Sequence, residues 1–128
     1  MILGSGCFDG LHSGHARYFS TMKKLAQEGE AVYVAIAPDF YIESTKDRKP
    51  HWSQHDRWRT VLECGVNPLM HEAPSVAQTI LQQKPRLFVK GSDWAGKLPE
   101  DVVKACREVG AIIVYVDTPG THTSEALG

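Results

Sequence analysis

The 128-residue chain has few cysteines, no long apolar run and no surplus of charge of either sign. Its cysteines, Cys7, Cys64 and Cys106, are odd in number and lack a Cys-x-x-Cys spacing. This argues against a disulfide framework and favours a reducing compartment, so we expect a cytoplasmic protein. No apolar run approaches the roughly 20 residues that cross a membrane, and no secretory signal is recognisable, so we expect no membrane partner.

The charges nearly cancel, with 14 lysines and arginines against 15 aspartates and glutamates and a formal net charge of -1. We therefore do not expect nucleic acid or an anionic membrane surface as a partner. The hydrophobic content of 42% and the charged content of 23% are ordinary for a soluble globular protein. The length is typical of one domain, here residues 1–128.

Apolar strands and helices alternate along the chain. The predicted strands cover residues 1–3, 31–37, 66–72, 86–91 and 111–116, and the predicted helices cover residues 15–29, 53–65, 75–83 and 98–110. Residues 39–52 show no clear period and are predicted to be mostly loop, and residues 117–128 a loop that enters a helix. The alternation predicts a Rossmann-like, three-layer α/β/α fold with a five-stranded parallel sheet.

Clusters of polar residues follow four of the predicted strands. They lie at residues 7–15, 39–52, 91–97 and 117–124. In a parallel sheet, ligands bind beyond the carboxyl ends of the strands, near the point where the strand order switches. We therefore expect these clusters to meet at one edge of the sheet and to form the functional site.

The first cluster, GCFDGLHSGH at residues 6–15, has chemistry that suits phosphate. A glycine-rich turn between a strand and a helix exposes backbone N–H groups, and the helix N-terminus adds partial positive charge. His12 and His15 would donate hydrogen bonds to phosphate oxygens, and Gly14 would let a phosphate approach the backbone. Donors aimed at growing negative charge are a main source of catalysis in nucleotidyl transfer.

Two other interpretations of the histidine pair stay open. A zinc site needs more ligands at suitable spacing, and only Cys7 lies nearby. The pair could also be surface histidines at the start of a helix. The Gly-x-Gly-x-x-Gly and Gly-x-x-x-x-Gly-Lys-Ser/Thr phosphate-binding motifs are absent, so any phosphate site is of a different kind.

Three segments carry a resemblance to a known family. GCFDGLHSGH resembles the GxFDxxHxGH signature of the cytidylyltransferase-like nucleotidyltransferases. VKGSDWAGK, at residues 89–97, resembles the GDDWEGK segment of glycerol-3-phosphate cytidylyltransferases and the VKGGDY segment of heptose-phosphate adenylyltransferases. GTHTSEAL, at residues 120–127, is similar to the family's G-x-S-T-T segment. The resemblance covers nearly the whole chain, in the right order.

This resemblance implies a single nucleotidyltransferase domain over residues 1–128. A phosphorylated small acceptor, either glycerol 3-phosphate or a sugar or heptose phosphate, would attack the α-phosphorus of CTP or ATP, and pyrophosphate would leave. Mg²⁺ would arrive with the triphosphate, and no metal site formed by the protein alone is expected. A homodimer is expected on the same ground.

The resemblance also implies roles for individual residues. His12, His15 and Lys46 would be catalytic, with Lys46 holding phosphate. Lys46, Arg57 and Trp94 would bind the acceptor. The other implied nucleotide-binding residues are Cys7, Phe8, Asp9, Gly14, Arg48, Gly91, Asp93, Thr121, Thr123 and Ser124. Each has a structural alternative; Arg57, for example, could pair with Asp56 or Glu63 on its own helix.

Two departures from the family pattern leave the base and the acceptor open. Asp117 stands where glycerol-3-phosphate cytidylyltransferases carry an arginine. Residues 71–83 contain no lysine or arginine where those enzymes have a lysine. A catalytically degenerate nucleotide-binding module is therefore the main alternative function, and a metal-binding or hydrolytic domain is a third.

Overall fold

The computed structural model describes residues 1–6, 8, 13–46, 49–70 and 75–117. The strands in this part of the chain are β1 (Ile2–Gly6), β2 (Val32–Ile36), β3 (Asn67–Met70), β4 (Leu87–Gly91) and β5 (Ile112–Val116). The helices are α1 (Ser13–Leu25), α2 (Asp39–Lys46), α3 (Gln54–Glu63), α4 (Ala77–Gln83) and α5 (Glu100–Val109), and a 3₁₀ turn covers Ser92–Trp94.

The five strands form one parallel sheet in the order β3-β2-β1-β4-β5. The central strand β1 pairs with β2 on one side and β4 on the other, with Gly4 opposite Val34 and Val89. The Rossmann-like α/β fold with five parallel strands is therefore confirmed. The strand order switches direction between β1 and β4, and this places the expected ligand crevice beyond their carboxyl ends.

The two faces of the sheet bury two separate cores because successive side chains along a strand point to opposite faces. One core packs α1 and α3 against Ile2, Val34 and Val89 of the sheet. The other packs α4 and α5 against Leu3, Ala35 and Phe88. The helices on these two faces, α1 and α3 on one and α4 and α5 on the other, are the two outer layers of the predicted three-layer arrangement.

The prediction that residues 39–52 are mostly loop is wrong for α2. This helix starts after Pro38, has Asp39 in its first turn, and the Ile42 N–H donates to the Pro38 carbonyl oxygen at 3.3 Å. Ile42 is fully buried and packs with Ala37 in a small separate cluster. Among the α2 side chains that the structure describes, Ile42 is the buried apolar one and Phe40 is exposed, so these residues show little apolar periodicity.

Other boundaries agree with the sequence. Ser53 caps α3 as predicted, since its Oγ accepts the Asp56 N–H at 3.2 Å. Pro68 lies in β3 at the edge of the sheet, where a residue without an N–H is tolerated. The predicted loop and helix after Asp117 lie outside the described residues. Across the described ranges, no helix combines the length and apolarity needed to cross a membrane.

Candidate active site

The carboxyl ends of β1, β2, β4 and β5 lie at one edge of the sheet, since all the strands are parallel. β1 ends at Gly6, whose carbonyl oxygen accepts the Ala37 N–H just beyond β2 at 3.1 Å. β4 ends at Gly91, and Asp117 directly follows β5. The described parts of the four polar clusters therefore follow strands at the same edge, as the sequence predicts.

The N-terminus of α1 faces this edge because the helix begins a few residues after β1. Gly14 and His15 lie in its first turn, which contains no acidic residue, and Lys23 and Lys24 lie in its last turn. This distribution leaves the positive end of the helix dipole available to an anion and stabilises the negative end. The helix start thus has the backbone and dipole properties expected of a phosphate site.

The imidazole of His15 is fully buried. Its ring centroid lies 5.3 Å from that of Phe8, in an edge arrangement with an interplanar angle of 72°. The Phe8 ring is itself buried and also packs against Tyr18 and Phe19 of α1. Phe8 was expected to lie along the nucleotide; with its ring beneath α1, only its backbone could do so.

Tyr18 fixes α1 to the sheet from the same helix face. Its hydroxyl donates to the Val89 carbonyl oxygen in β4 at 2.5 Å. A Cβ at Gly4 of β1 would overlap this hydroxyl, so glycine leaves the space that the tyrosine occupies. Burial raises the pKa of Tyr18 far above its usual range, and a backbone hydrogen bond at Ser5 opposes the rise only in part. The phenol therefore stays neutral and keeps its donor.

Lys90 was missed by the sequence reasoning and lies beside the switch point. It is buried on β4, and its Nζ donates to the Ser5 carbonyl oxygen at 3.0 Å and lies 3.4 Å from Ser5 Oγ. The same Nζ lies 4.6 Å from the ring centroid of Trp94. A charged residue within the buried run LFVKG is a signal that could have found it. Lys90 joins the end of β1 to the 3₁₀ turn after β4.

The 3₁₀ turn after β4 contains two of the predicted site residues, Asp93 and Trp94, and each has an unsatisfied polar atom. Asp93 Oδ1 and Trp94 Nε1 are buried and have no hydrogen-bond partner among the residues that the structure describes. A buried donor or acceptor without a partner costs about 1–3 kcal/mol. An acceptor and a donor on adjacent residues at the end of β4 are the kind of groups that a bound ligand could satisfy.

Arg57, expected to bind the acceptor, is fully buried on α3. Its Nη2 donates to Asp39 Oδ1 at 2.7 Å, so it pairs with a carboxylate on α2. Its Nη1 donates to the Ala37 carbonyl oxygen at 2.6 Å and its Nε to the Trp52 carbonyl oxygen at 3.1 Å. These contacts make Arg57 part of the support beneath the site.

Several predicted residues fall outside the described part of the chain, and their roles stay predictions. These are Cys7, Asp9, His12, Arg48, Thr121, Thr123 and Ser124. For Lys46, the structure describes the backbone at the end of α2 but not the side chain. Of the described residues, Gly14 and His15 follow β1, Gly91, Asp93 and Trp94 lie at the end of β4, and Arg57 supports the end of β2.

The donor set is compatible with a magnesium ion that the nucleotide carries. No group of three or more His, Cys, Asp or Glu side chains in the described ranges could hold a metal ion. Mg²⁺ is commonly held by about one or two protein carboxylates together with substrate phosphates. Asp93 and Asp117 are described carboxylates at this edge whose chemistry suits such a contact.

Comparison with known proteins gives a consistent result over most of the chain. The model of the family described as cytidylyltransferase-like matches residues 3–126. The bifunctional protein HldE of Helicobacter pylori strain G27 is 33% identical over 100 residues, which cover 76% of this chain and 21% of the relative. HldE of Campylobacter curvus is 29% identical over 126 residues, which cover 94% of this chain and 25% of the relative. The chain thus spans about a fifth to a quarter of these relatives.

A solved structure confirms the fold independently. The lipopolysaccharide core biosynthesis protein from Thermoplasma volcanium aligns with a TM-score of 0.74 at 23% identity, covering 91% of this chain and 95% of that protein. An Archaeoglobus fulgidus protein of unknown function aligns with a TM-score of 0.72 at 17% identity, covering 95% of this chain and 93% of that protein. At these identities the likeness establishes the fold alone.

Proposed function

Because the chain belongs to the cytidylyltransferase-like family of nucleotidyltransferases, we propose that it transfers a nucleoside monophosphate from CTP or ATP to a phosphorylated small acceptor. The acceptor phosphate attacks the α-phosphorus, a new phosphoanhydride bond forms, and the bond to pyrophosphate breaks. The observation that carries the proposal is the N-terminus of α1, with Gly14 and His15, beside the switch point between β1 and β4.

The proposed catalysis is positioning and charge neutralisation. His12 and His15 donate hydrogen bonds to the phosphates, and the α1 N-terminus adds N–H groups and partial positive charge. Lys46 and Arg48, at and just after the end of α2, hold the triphosphate and the acceptor phosphate. Mg²⁺, when bound with the nucleotide, neutralises charge on the phosphate oxygens.

The turn after β4 is proposed to form the wall of the base or acceptor pocket. Gly91 lets the ligand approach the backbone, and Asp93 and Trp94 supply the buried acceptor and donor that have no partner in the described part of the structure. Thr121, Thr123 and Ser124, in the segment for which the sequence predicts a loop entering a helix, are proposed to bind phosphate. Cys7 and Asp9, between β1 and α1 in the sequence, are proposed to bind the nucleotide.

Among acceptors, a sugar phosphate is favoured over glycerol 3-phosphate. The segment that begins with Val89, Lys90 and Gly91 resembles the heptose-phosphate adenylyltransferases, and these residues form the buried end of β4. Asp117 is exposed directly after β5, where glycerol-3-phosphate cytidylyltransferases carry an arginine. A carboxylate that faces the triphosphate would repel it. The presence of Asp117 at this edge therefore favours the degenerate nucleotide-binding module as the second candidate function.

The deciding experiment is pyrophosphate release with Mg²⁺ and either CTP or ATP, against glycerol 3-phosphate, heptose and hexose 1-phosphates, phosphocholine and phosphoethanolamine. Release that requires one nucleotide and one sugar phosphate supports the proposal and identifies both substrates. Nucleotide binding by calorimetry without release for any acceptor would instead favour the binding module.

A cytoplasmic homodimer is proposed with this activity. The exposed apolar side chains available for self-association include Trp58 and Leu62, one turn apart on α3, and Phe40 on α2. Light scattering on the purified protein tests the proposal, and a monomeric mass at micromolar concentration would reject it.

A further inference from the structure

The guanidinium of Arg57 holds together three segments at the carboxyl end of β2. It donates from Nη1 to Ala37, which directly follows β2, and from Nη2 to Asp39, the first residue of α2. It also donates from Nε to the Trp52 carbonyl oxygen, in the segment that precedes α3. The Arg57 side chain is 0% exposed and Asp39 is 35% exposed, so the contact is reached by solvent from the Asp39 side only.

A second hydrogen bond ties the same helix start to α3. The Asp39 N–H donates to Gln54 Oε1 at 2.9 Å. The first turn of α2 is thus held by two side chains of α3, Gln54 through the Asp39 N–H and Arg57 through the Asp39 carboxylate. Because both bonds reach Asp39, its position is defined by α3 as well as by the end of β2.

This anchorage is important because α2 is a short helix. It is 8 residues long, and an isolated helix shorter than about 12–15 residues is marginal in water. Among the α2 side chains that the structure describes, Ile42 is the one that is fully buried. Its far end is Lys46, about 10 Å along the helix from Asp39 at 1.5 Å per residue. A small tilt at Asp39 therefore displaces Lys46.

We propose that Arg57 is a positioning residue for the transfer reaction. It acts through Asp39 and α2 to place Lys46 at the phosphates, and it does not touch substrate. This inference rests on the proposed function, and it replaces direct acceptor binding by Arg57, because the buried guanidinium already donates to two carbonyl oxygens and to the Asp39 carboxylate. A lysine cannot replace it, because an ammonium lacks the planar fork that reaches three acceptors at once.

The first test is a kinetic cycle between Arg57 and Lys46. Arg57→Lys should lower kcat/KM about ten- to a hundredfold, the scale of a misplaced catalytic group. In a Lys46→Met background, the same substitution should have an effect of less than about threefold, because the residue it positions is gone. Full, multiplicative losses in the double variant would overturn the inference, since Arg57 would then act independently of Lys46. The matched control is Arg59→Lys. Arg59 is exposed on the same helix, with its Nη2 4.0 Å from Asp56 Oδ1, and the substitution should leave kcat/KM unchanged.

The second test needs no activity, so that failure of the proposed function is distinguishable. In ligand-free protein, Arg57→Lys and Asp39→Asn should each speed amide hydrogen exchange over residues 39–46 and leave α5 at the wild-type rate. Wild-type exchange over residues 39–46 in both variants would overturn the inference. If Arg57→Lys does not fold, Asp39→Asn is tested for both kcat/KM and amide hydrogen exchange over residues 39–46. Wild-type values of both in Asp39→Asn would reject the proposal.

Discussion

The ring of Phe8 meets the imidazole of His15 in an edge arrangement, with centroids 5.3 Å apart. Phe8 has a φ of 54°, a left-handed conformation that is uncommon for a bulky residue. Such strain persists where the surrounding packing determines the conformation, and here the ring is buried beneath α1. The backbone that leaves β1 is therefore shaped to place Phe8 under the helix, and His15 is oriented by packing before any ligand binds.

Replacing either histidine of the first motif should abolish most of the proposed activity. We expect His12→Ala and His15→Ala each to lose at least about a hundredfold in kcat, the scale of removing one transition-state donor. Pyrophosphate release measures the loss. His55→Ala, on the exposed surface of α3, is the control and should keep wild-type turnover. Near-normal turnover in either motif variant would remove the proposed mechanism.

Lys90→Met should loosen the wall of the pocket after β4. The substitution keeps an apolar stem of similar length but removes the hydrogen bond to Ser5 and the charge beside the Trp94 ring. Since a desolvated cation–π contact contributes up to about 2 kcal/mol, we expect nucleotide affinity to fall roughly ten- to thirtyfold. Calorimetry measures the affinity, and Lys104→Met, exposed on α5, is the control. Wild-type affinity in Lys90→Met would show that Trp94 is held without the lysine.

Gly4→Ala should destabilise the fold because the new methyl group would overlap the Tyr18 hydroxyl and would lie 2.8 Å from the Met22 methyl carbon. Overpacking of this kind costs about 1–3 kcal/mol. Tyr18→Phe removes the hydroxyl and its bond to Val89, so the double variant should be less destabilised than the sum of the two single variants. Denaturant unfolding measures all three, and strict additivity would mean that the two residues do not compete for this space.

The strands and most helices could be predicted because their apolar residues are periodic or continuous. The runs that became β2 and β4 are buried on both faces and flanked by polar or glycine residues, a pattern visible in the sequence. The start of α3 was equally visible because Ser53 is a capping residue. α2 was not, since the contacts described at its start come from Arg57 and Gln54 of the next helix and not from its own sequence.

The site was predictable in its location but not in its supporting contacts. Polar residues after parallel strands must meet at one edge, so the cluster at residues 91–97, which contains Asp93 and Trp94, could be placed at the same edge as the end of β1 from the pattern of strands. Whether Arg57 faces a ligand or the interior depends on where Asp39 lies. The distance between these two residues is set by tertiary packing and not by local sequence. The ammonium of Lys90 likewise reaches Ser5, 85 positions away in the chain, and local sequence carries no record of that contact.

Glu30 and Arg86 should give the stability of the fold a dependence on acid pH. Arg86 donates from Nη2 to Glu30 Oε1 at 2.7 Å and from Nε to Oε2 at 2.9 Å, and this joins the starts of β2 and β4. These bonds, with one from the Gln27 N–H, lower the pKa of Glu30 from 4.5 to about 2. A carboxyl whose pKa is lower in the folded state stabilises that state above its unfolded pKa, and the contribution is lost as pH falls toward the folded value.

Glu30→Gln should therefore unfold at a lower temperature than the wild type at pH 7. The difference should narrow once the pH falls below the unfolded pKa of 4.5 and should vanish near the folded value of about 2. Thermal unfolding followed by circular dichroism from pH 7 to pH 2 measures it. Glu28→Gln, exposed in the same turn, is the matched control and should track the wild type throughout. A Glu30→Gln difference that stays constant across this range would mean that packing of the side chain, and not its charge, holds the starts of the two strands together.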